Sequence, residues 1–314
     1  KNMIKRSAYI NEGHLIVFEM KYIKYSPQTL NVFYKKLMNL PLNNILNIGT
    51  KDTFAVRALK IPKGIGYEEK IDKKEKEKNI KIDSMVVERN IGKIIKEKTC
   101  AKVNLKNPSK VVKVVLLKDR IYLVLSVEKR DKSYFQKNRP HLRAYFHPGC
   151  IIPKLARCMV NLARLKEGNI LLDPFCGTGG FLIEGGFIGC KLIGSDIDNR
   201  MVEGTILNLK SYNLMDKVIA VKRWDAEDIK NYLNLLNIKR IDAIITDPPY
   251  GISTSAKGDV ELILNNLGNV LKNGGYMVFA SSKKINVENL KLKEIYKLYV
   301  HKSLTRYIHV YRKE

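Results

Sequence analysis

Two short segments carry residue types suited to chemistry rather than packing: Asp173-Pro-Phe-Cys-Gly-Thr-Gly-Gly180 and Asp247-Pro-Pro-Tyr250. The first follows an apolar run (Ile170, Leu171, Leu172) and leads into helical spacing. Glycines at a strand-to-helix turn let backbone approach a ligand closely. The G-x-G-x-x-G spacing of dinucleotide sites and the lysine of a phosphate loop are both missing, which argues against dinucleotides and ATP phosphates. The second segment closes another apolar run, Ala243 to Thr246, and sets an acid before two prolines and an aromatic ring. The amine of a nucleobase is a poor nucleophile, because its lone pair is delocalised into the ring. Reaction there needs an acceptor that draws off a proton and an in-line approach. Asp247 suits the acceptor role, Pro248 offers a carbonyl, and Tyr250 offers a ring on which a flipped-out base can stack. The pair points to methylation of an exocyclic amine.

Further acids close the neighbouring strands. Lys191-Leu-Ile-Gly-Ser-Asp196 ends in a carboxylate that can accept both hydroxyls of a ribose, or can cap the helix that follows. Asp198 is the better placed of the two to cap. Asp225, after Val221-Lys-Arg-Trp224, can accept from an adenine amine or cap the next turn. Asp173 can face a cationic amino-acid tail. Acids at successive strand ends suit a cationic sulfonium nucleoside and repel a phosphorylated one.

From Ile151 onward the pattern alternates. Strands are predicted at 170–172, 191–195, 218–222, 243–246 and 275–280, with helices at 151–164, 180–187, 199–210, 227–236 and 259–271. Two β-rich runs, 295–300 and 307–311, follow. Alternating strand and helix predicts an α/β fold with a mostly parallel sheet, and an antiparallel closing pair makes it a Rossmann-like methyltransferase-type sheet. Upstream lies a small α+β region. Strands are expected at Ala8–Ile10 and Leu15–Phe18 around an Asn11-Glu12-Gly13 turn, with a helix over 28–40 and a strand at Thr53–Arg57. A charged loop fills Lys60–Lys81. A helix over 84–96 should bury Met85, Val86, Ile91, Ile94 and Ile95, and a hairpin should join Val111–Leu117 to Ile121–Val127. The domain reading is 1–50 and 51–128 for the α+β part, a basic linker at 129–149, and 150–314 for the alternating part.

The chain has 314 residues and a formal net charge of +26, from 57 Lys+Arg against 31 Asp+Glu. Most of the excess lies within residues 1–150, which implies a polyanionic partner. Arg130, Arg139 and Arg143, interleaved with Tyr134, Phe135, Tyr145 and Phe146, read as a phosphate-and-stacking surface or as a solvated linker. Five cysteines without a CxxC pair or zinc-ligand spacing predict reduced thiols, no metal and a cytosolic setting. Cys176 reads as a packing residue. No apolar run approaches the roughly 20 residues that span a bilayer.

These residues resemble the archaeal tRNA guanine-N2 dimethyltransferases acting on guanosine 10, a class I S-adenosylmethionine-dependent family that joins a THUMP RNA-binding domain to a methyltransferase domain. The likeness runs through His147-Pro-Gly149, Pro153-x-Leu-Ala-Arg157-x-Met-Val-Asn-Leu162, Leu171–Gly180, Asp196-Ile-Asp198, Met201-Val-x-Gly204, Asn208-Leu209 and Thr246–Thr254. The N-terminal half resembles a ferredoxin-like segment followed by THUMP. The resemblance implies S-adenosyl-L-methionine held by Asp173, Phe175, Gly177, Gly179, Asp196, Ile197, Asp225 and Ala226. It implies guanine held by Asp247, Pro248 and Tyr250, and tRNA as partner of a cytoplasmic, metal-free monomer. An adenine-N6 methyltransferase of DNA or RNA, or a non-catalytic tRNA-binding protein, are the alternatives. In two places the sequence departs from the family pattern: Trp224 stands where a glycine is expected before Asp225, and Ile252 where a basic residue is common.

Overall fold

Period-two alternation sorts Val112, Val114 and Leu116 onto the buried face of one strand, and that face gathers the first of the molecule's cores. The computed structural model describes residues 2–23, 26–60, 83–117, 119–131, 133–249, 260–302 and 304–314. The chain divides into two units, Lys1–Lys5 with Ile10–Arg130, and Arg6–Tyr9 with Asp131–Glu314.

The first unit is a five-stranded sheet of β1 (Glu12–Lys21), β2 (Thr53–Lys60), β3 (Lys102–Val103), β4 (Lys110–Leu116) and β5 (Arg120–Lys129), in the order β1-β5-β4-β2-β3. Helices Pro27–Met38 and Ser84–Thr99 supply the facing layer. Ser26 forms a capping box with Thr29 at the start of the former. Asp83 caps the latter by accepting from Met85 N at 2.9 Å. The apolar stripe differs from the expected one only in the first turn. Val87, Ile91, Ile94 and Ile95 are buried, while Met85 and Val86, expected inside, are exposed. The N-terminal hairpin expected around Asn11–Gly13 does not form. Residues 12–21 are one strand whose partner is β5, with Leu15 opposite Leu125. Alternation reports a strand but not its partner, and here the partner lies about a hundred residues on. Lys118 of the β4–β5 turn and the charged run beyond Lys60, residues 61–82, lie outside the described residues.

The second unit holds β6 (Ile170–Asp173), β7 (Lys191–Asp196), β8 (Val218–Arg223), β9 (Ile241–Thr246), β10 (Leu271–Ser281), β11 (Lys291–His301) and β12 (Leu304–Arg312). Their order is β11-β12-β10-β9-β6-β7-β8. The strands from β10 to β8 are parallel, and β12 enters antiparallel between β10 and β11. This is the mostly parallel sheet with an antiparallel closing pair that the alternation predicts. Both faces are covered, so the central strands are apolar throughout: Ala243, Ile244 and Ile245 of β9 have no exposure. Helix Gly180–Phe187 is buried along nearly its whole length. Crossing β6 to β7 on one side and to β9 on the other makes the carboxyl ends of these strands a topological switch point, where such sheets bind ligands.

Of the segment 129–149 read as a linker, residues 131–149 include a helical turn at Tyr134–Lys137 and group with the second unit. Tyr134 packs edge-on against Phe187. Tyr145 is clamped by the buried amide of Asn208, which accepts from Tyr145 N at 2.8 Å and donates to Tyr145 O at 3.0 Å. The same Nδ2 donates to Thr178 O at 2.9 Å, tying the segment to the glycine turn. Gly204, one helical turn before Asn208, has no room for a side chain, since a β-carbon there would overlap the Tyr145 ring. Gly204→Ala is therefore expected to destabilise the protein by ~1–3 kcal/mol through overpacking, despite the higher helix propensity of alanine. Chemical denaturation checks this; a gain in stability would show that Tyr145 moves aside without loss.

Candidate active site

β6 ends in a carboxylate with nowhere to send its charge. Asp173 has no exposure; its Oδ1 accepts from Thr246 Oγ1 at 2.9 Å and from Phe175 N at 3.3 Å. Its Oδ2 is buried without a partner. Burial, with Asp196 and Asp247 adding like charge, raises this carboxyl to about 8 despite the two hydrogen bonds. The Thr246 bond also fixes the end of β9 against the end of β6, so the segments singled out in the sequence meet at one sheet edge.

The glycine turn follows. Gly177 has φ +51° and Gly179 φ +80°, conformations that disfavour other residues. A β-carbon at Gly177 would point into open space, while one at Gly179 would press on Thr205. Gly177 N donates to Asp196 Oδ2 at 2.9 Å and Asp198 N donates to Asp196 Oδ1 at 3.0 Å. These bonds fix the Asp196 carboxylate beside the turn, and burial pushes its pKa up. Asp198 caps helix Asn199–Ser211 by accepting from Arg200 N. Asp225 caps the turn Ala226–Asp228 through Glu227 N at 3.0 Å. It also lines an open cleft of about 370 Å³ with Ile197, Arg223, Trp224 and Asp228. Trp224 forms part of this lining. Its ring stacks on Tyr232, with centroids 5.0 Å apart, and its Nε1 donates to Asp228 O at 3.0 Å. Phe175 is partly buried against the core and Ala226 is buried. Open space at Gly177, the unpartnered Asp173 oxygen and the Asp225 cleft together fit a nucleoside with a cationic tail.

On the β9 side, Asp247 is largely shielded and Pro248 is buried. Arg306 of β12 sets its Nη2 3.5 Å from Asp247 Oδ2. Sequence spacing gives no hint of this residue, because β12 reaches the site only after the sheet closes. Tyr250 lies outside the described residues.

Other expected residues scatter. Arg130 is buried and donates to Ile10 O and Asn11 Oδ1 within the first unit. Arg143 is buried beside Glu184, with Nε and Nη1 lacking partners. Arg139 is exposed. Cys176 is buried and its thiol is pushed well above the ordinary range, which suits packing and not nucleophilic chemistry. His147 is exposed next to Cys150, whose thiol lies 3.0 Å from Thr178 Oγ1 of the glycine turn. Among the described residues no cluster of three or more His, Cys, Asp or Glu side chains could hold a metal ion, and no helix is long and apolar enough to cross a membrane.

Behind the turn lies a second ionic group. Arg157 Nη2 pairs with Glu184 Oε2 at 2.8 Å and donates to Tyr134 Oη at 3.0 Å, and that hydroxyl lies 3.3 Å from the same carboxylate oxygen. Glu184 has no exposure, and burial raises it to about 7 even with two arginines beside it.

Family models match both units: a THUMP domain over residues 28–126 and an RMKL-like methyltransferase domain over residues 140–307. The tRNA (guanine(10)-N2)-dimethyltransferase of Methanocaldococcus jannaschii is 52% identical over 100% of this chain and 87% of its own length. The chain belongs to this THUMP-containing tRNA (guanine(10)-N2)-dimethyltransferase family. A second family member, described as a probable tRNA (guanine(10)-N2)-dimethyltransferase, from Methanothermococcus thermolithotrophicus, is 70% identical over 51% of this chain and 98% of its own. Among solved structures, TrmN from Thermus thermophilus superposes with a TM-score of 0.50 at 18% identity, covering 98% of this chain and 84% of that one. That likeness is one of fold.

Proposed function

We propose that this enzyme transfers methyl groups from S-adenosyl-L-methionine to the exocyclic N2 of guanosine 10 in tRNA, once and then again. The observation that carries this reading is the Thr246–Asp173 hydrogen bond, which sets the Asp247-Pro-Pro turn against the glycine turn on adjoining parallel strands. When bound, the cofactor supplies an electrophilic methyl on a sulfonium centre. Asp173 faces its ammonium tail and Asp196 takes the ribose hydroxyls. Asp225, with Ile197 and Ala226, borders the adenine, while Phe175, Gly177 and Gly179 bring backbone close to the ligand. Asp247 and the Pro248 carbonyl accept from the guanine amine. They draw its proton away and free its lone pair, while Tyr250 provides the stacking ring. The THUMP-matching unit docks the tRNA, and Arg139, exposed in the second unit, is available to phosphate. Division of that unit at residue 50, action as a monomer and a cytoplasmic setting belong to the same proposal.

A transcript with inosine at position 10 keeps the ring and the phosphates but lacks the N2 amine. Methyl acceptance should fall to background; undiminished acceptance would put the methyl elsewhere.

The raised Asp173 carboxyl adds a pH signature. Before a cation binds, this group holds its proton up to about pH 8. A bound ammonium lowers that pKa, so binding releases a proton and affinity grows as pH rises towards 8. S-adenosylhomocysteine, followed by calorimetry, should bind up to ~10-fold tighter per pH unit below that point. Asp173→Asn should flatten the slope, and an equally steep slope in that variant would assign the proton to another group.

A further inference from the structure

We propose that Arg306 is a positioning residue for the methyl-accepting site, holding the Asp247 carboxylate in place and ionised while it engages the amine. This rests on the reading of Asp247 above and adds to it a residue from outside the parallel strands.

Three observations support it. Arg306 Nη2 lies 3.5 Å from Asp247 Oδ2, with side chains 16% and 18% exposed, so water screens the pair weakly. The orientation of Arg306 is fixed by its strand. It stands opposite Leu298 of β11, and Ile308 and Val310, two and four residues on, are buried in the core on the same strand face. The surroundings also make a cation necessary. Asp173 and Asp196 stand at the ends of the neighbouring strands β6 and β7, and Asp247 already pushes the Asp173 carboxyl up. Like charges crowded at one sheet edge favour protonation, and a protonated carboxyl cannot receive the proton that the amine gives up. A guanidinium stays charged at every working pH and binds a carboxylate directionally. Carboxylate oxygens have lone-pair capacity for a cation and an amine together.

The role separates from two others by kinetics. A guanidinium that binds RNA phosphate sets affinity and its salt dependence. A merely structural residue sets thermal stability. A positioning residue sets the chemical step. Arg306→Gln is therefore expected to lower single-turnover methyl transfer about 10- to 100-fold. The KM for tRNA and the affinity for S-adenosylhomocysteine should stay close to wild type. Arg306→Lys, which keeps the charge, should recover part of the rate, and it serves as the test if the glutamine variant folds poorly.

Asp247→Asn and the double variant complete a cycle. With the carboxylate gone, Arg306→Gln should add little further loss. Loss of transfer in Asp247→Asn with near-normal transfer in Arg306→Gln overturns the Arg306 inference alone. Near-normal transfer in Asp247→Asn overturns the reading of Asp247. A change in KM and salt slope without a change in single-turnover rate would make Arg306 an RNA contact, and equal, additive losses in both backgrounds would make it structural.

Discussion

Asp247→Ala is expected to lower methyl transfer by at least ~100-fold, and up to ~10,000-fold, while S-adenosylhomocysteine binds within about twofold of wild type. The asymmetry follows from the sheet. Asp247 leaves the end of β9, and the glycine turn leaves β6; the two strands are joined by backbone pairing and by Thr246 Oγ1 on Asp173. Removing the Asp247 side chain breaks neither link. What is lost is the group that accepts from the amine and takes its proton, a contribution that enters only as the lone pair is freed. The loss should therefore fall on the chemical step and leave tRNA affinity close to normal. The deletion also removes one like charge beside Asp173, so the pH at which cofactor affinity levels off should move below about 8. Rapid-quench measurement of single-turnover methylation separates these effects. Retained chemistry with weakened cofactor binding would make Asp247 part of the cofactor site instead.

Arg157→Ala is expected to destabilise the second unit by ~3–5 kcal/mol, because it leaves a buried carboxylate without its main counter-ion. Glu184 sits at zero exposure in helix Gly180–Phe187, bonded to Arg157 and beside the Tyr134 hydroxyl. Arg143 is close enough to offset part of its charge, but Arg157 makes the direct ion pair. The pH dependence has a definite sign. The folded carboxyl already titrates near 7, above its ordinary value of 4.5, so the folded state holds the proton more tightly than the unfolded chain. The stability contributed by this group is complete below about 4.5 and is lost as pH rises through about 7. Without Arg157 the folded pKa climbs further. The deficit of the variant should then be smallest in acid and widen towards alkaline pH. Combining Arg157→Met with Glu184→Leu should recover much of the loss, since apolar replacement of a buried ion pair is often neutral. Thermal unfolding of the intact chain over a pH series tests this, and a deficit below ~1 kcal/mol at every pH would show that water reaches Glu184.

How much of this was legible in the sequence depends on distance along the chain. In the second unit, strand, turn and helix are consecutive, so Ile170 to Phe187 announces its own geometry, and the motif acids fall at strand ends that the alternation locates. What failed was long-range. The N-terminal strand was expected to pair with its neighbour and pairs instead with β5. Arg306 escaped notice because nothing near it in sequence marks the end of β12 as part of the site. Arg130 and Arg143 read as surface charge because basic residues usually are; each is buried where local partners or a nearby carboxylate receive it. Asp225 takes up its capping reading through Glu227 N, and it also lines the cleft.

The central claim is tested most directly by incubating the enzyme with labelled S-adenosylmethionine and unmodified tRNA, digesting the product to nucleosides and locating the label. The account predicts N2-methylguanosine and then N2,N2-dimethylguanosine, both at position 10. Label in N6-methyladenosine, or tRNA left unlabelled while the cofactor binds normally, would contradict it.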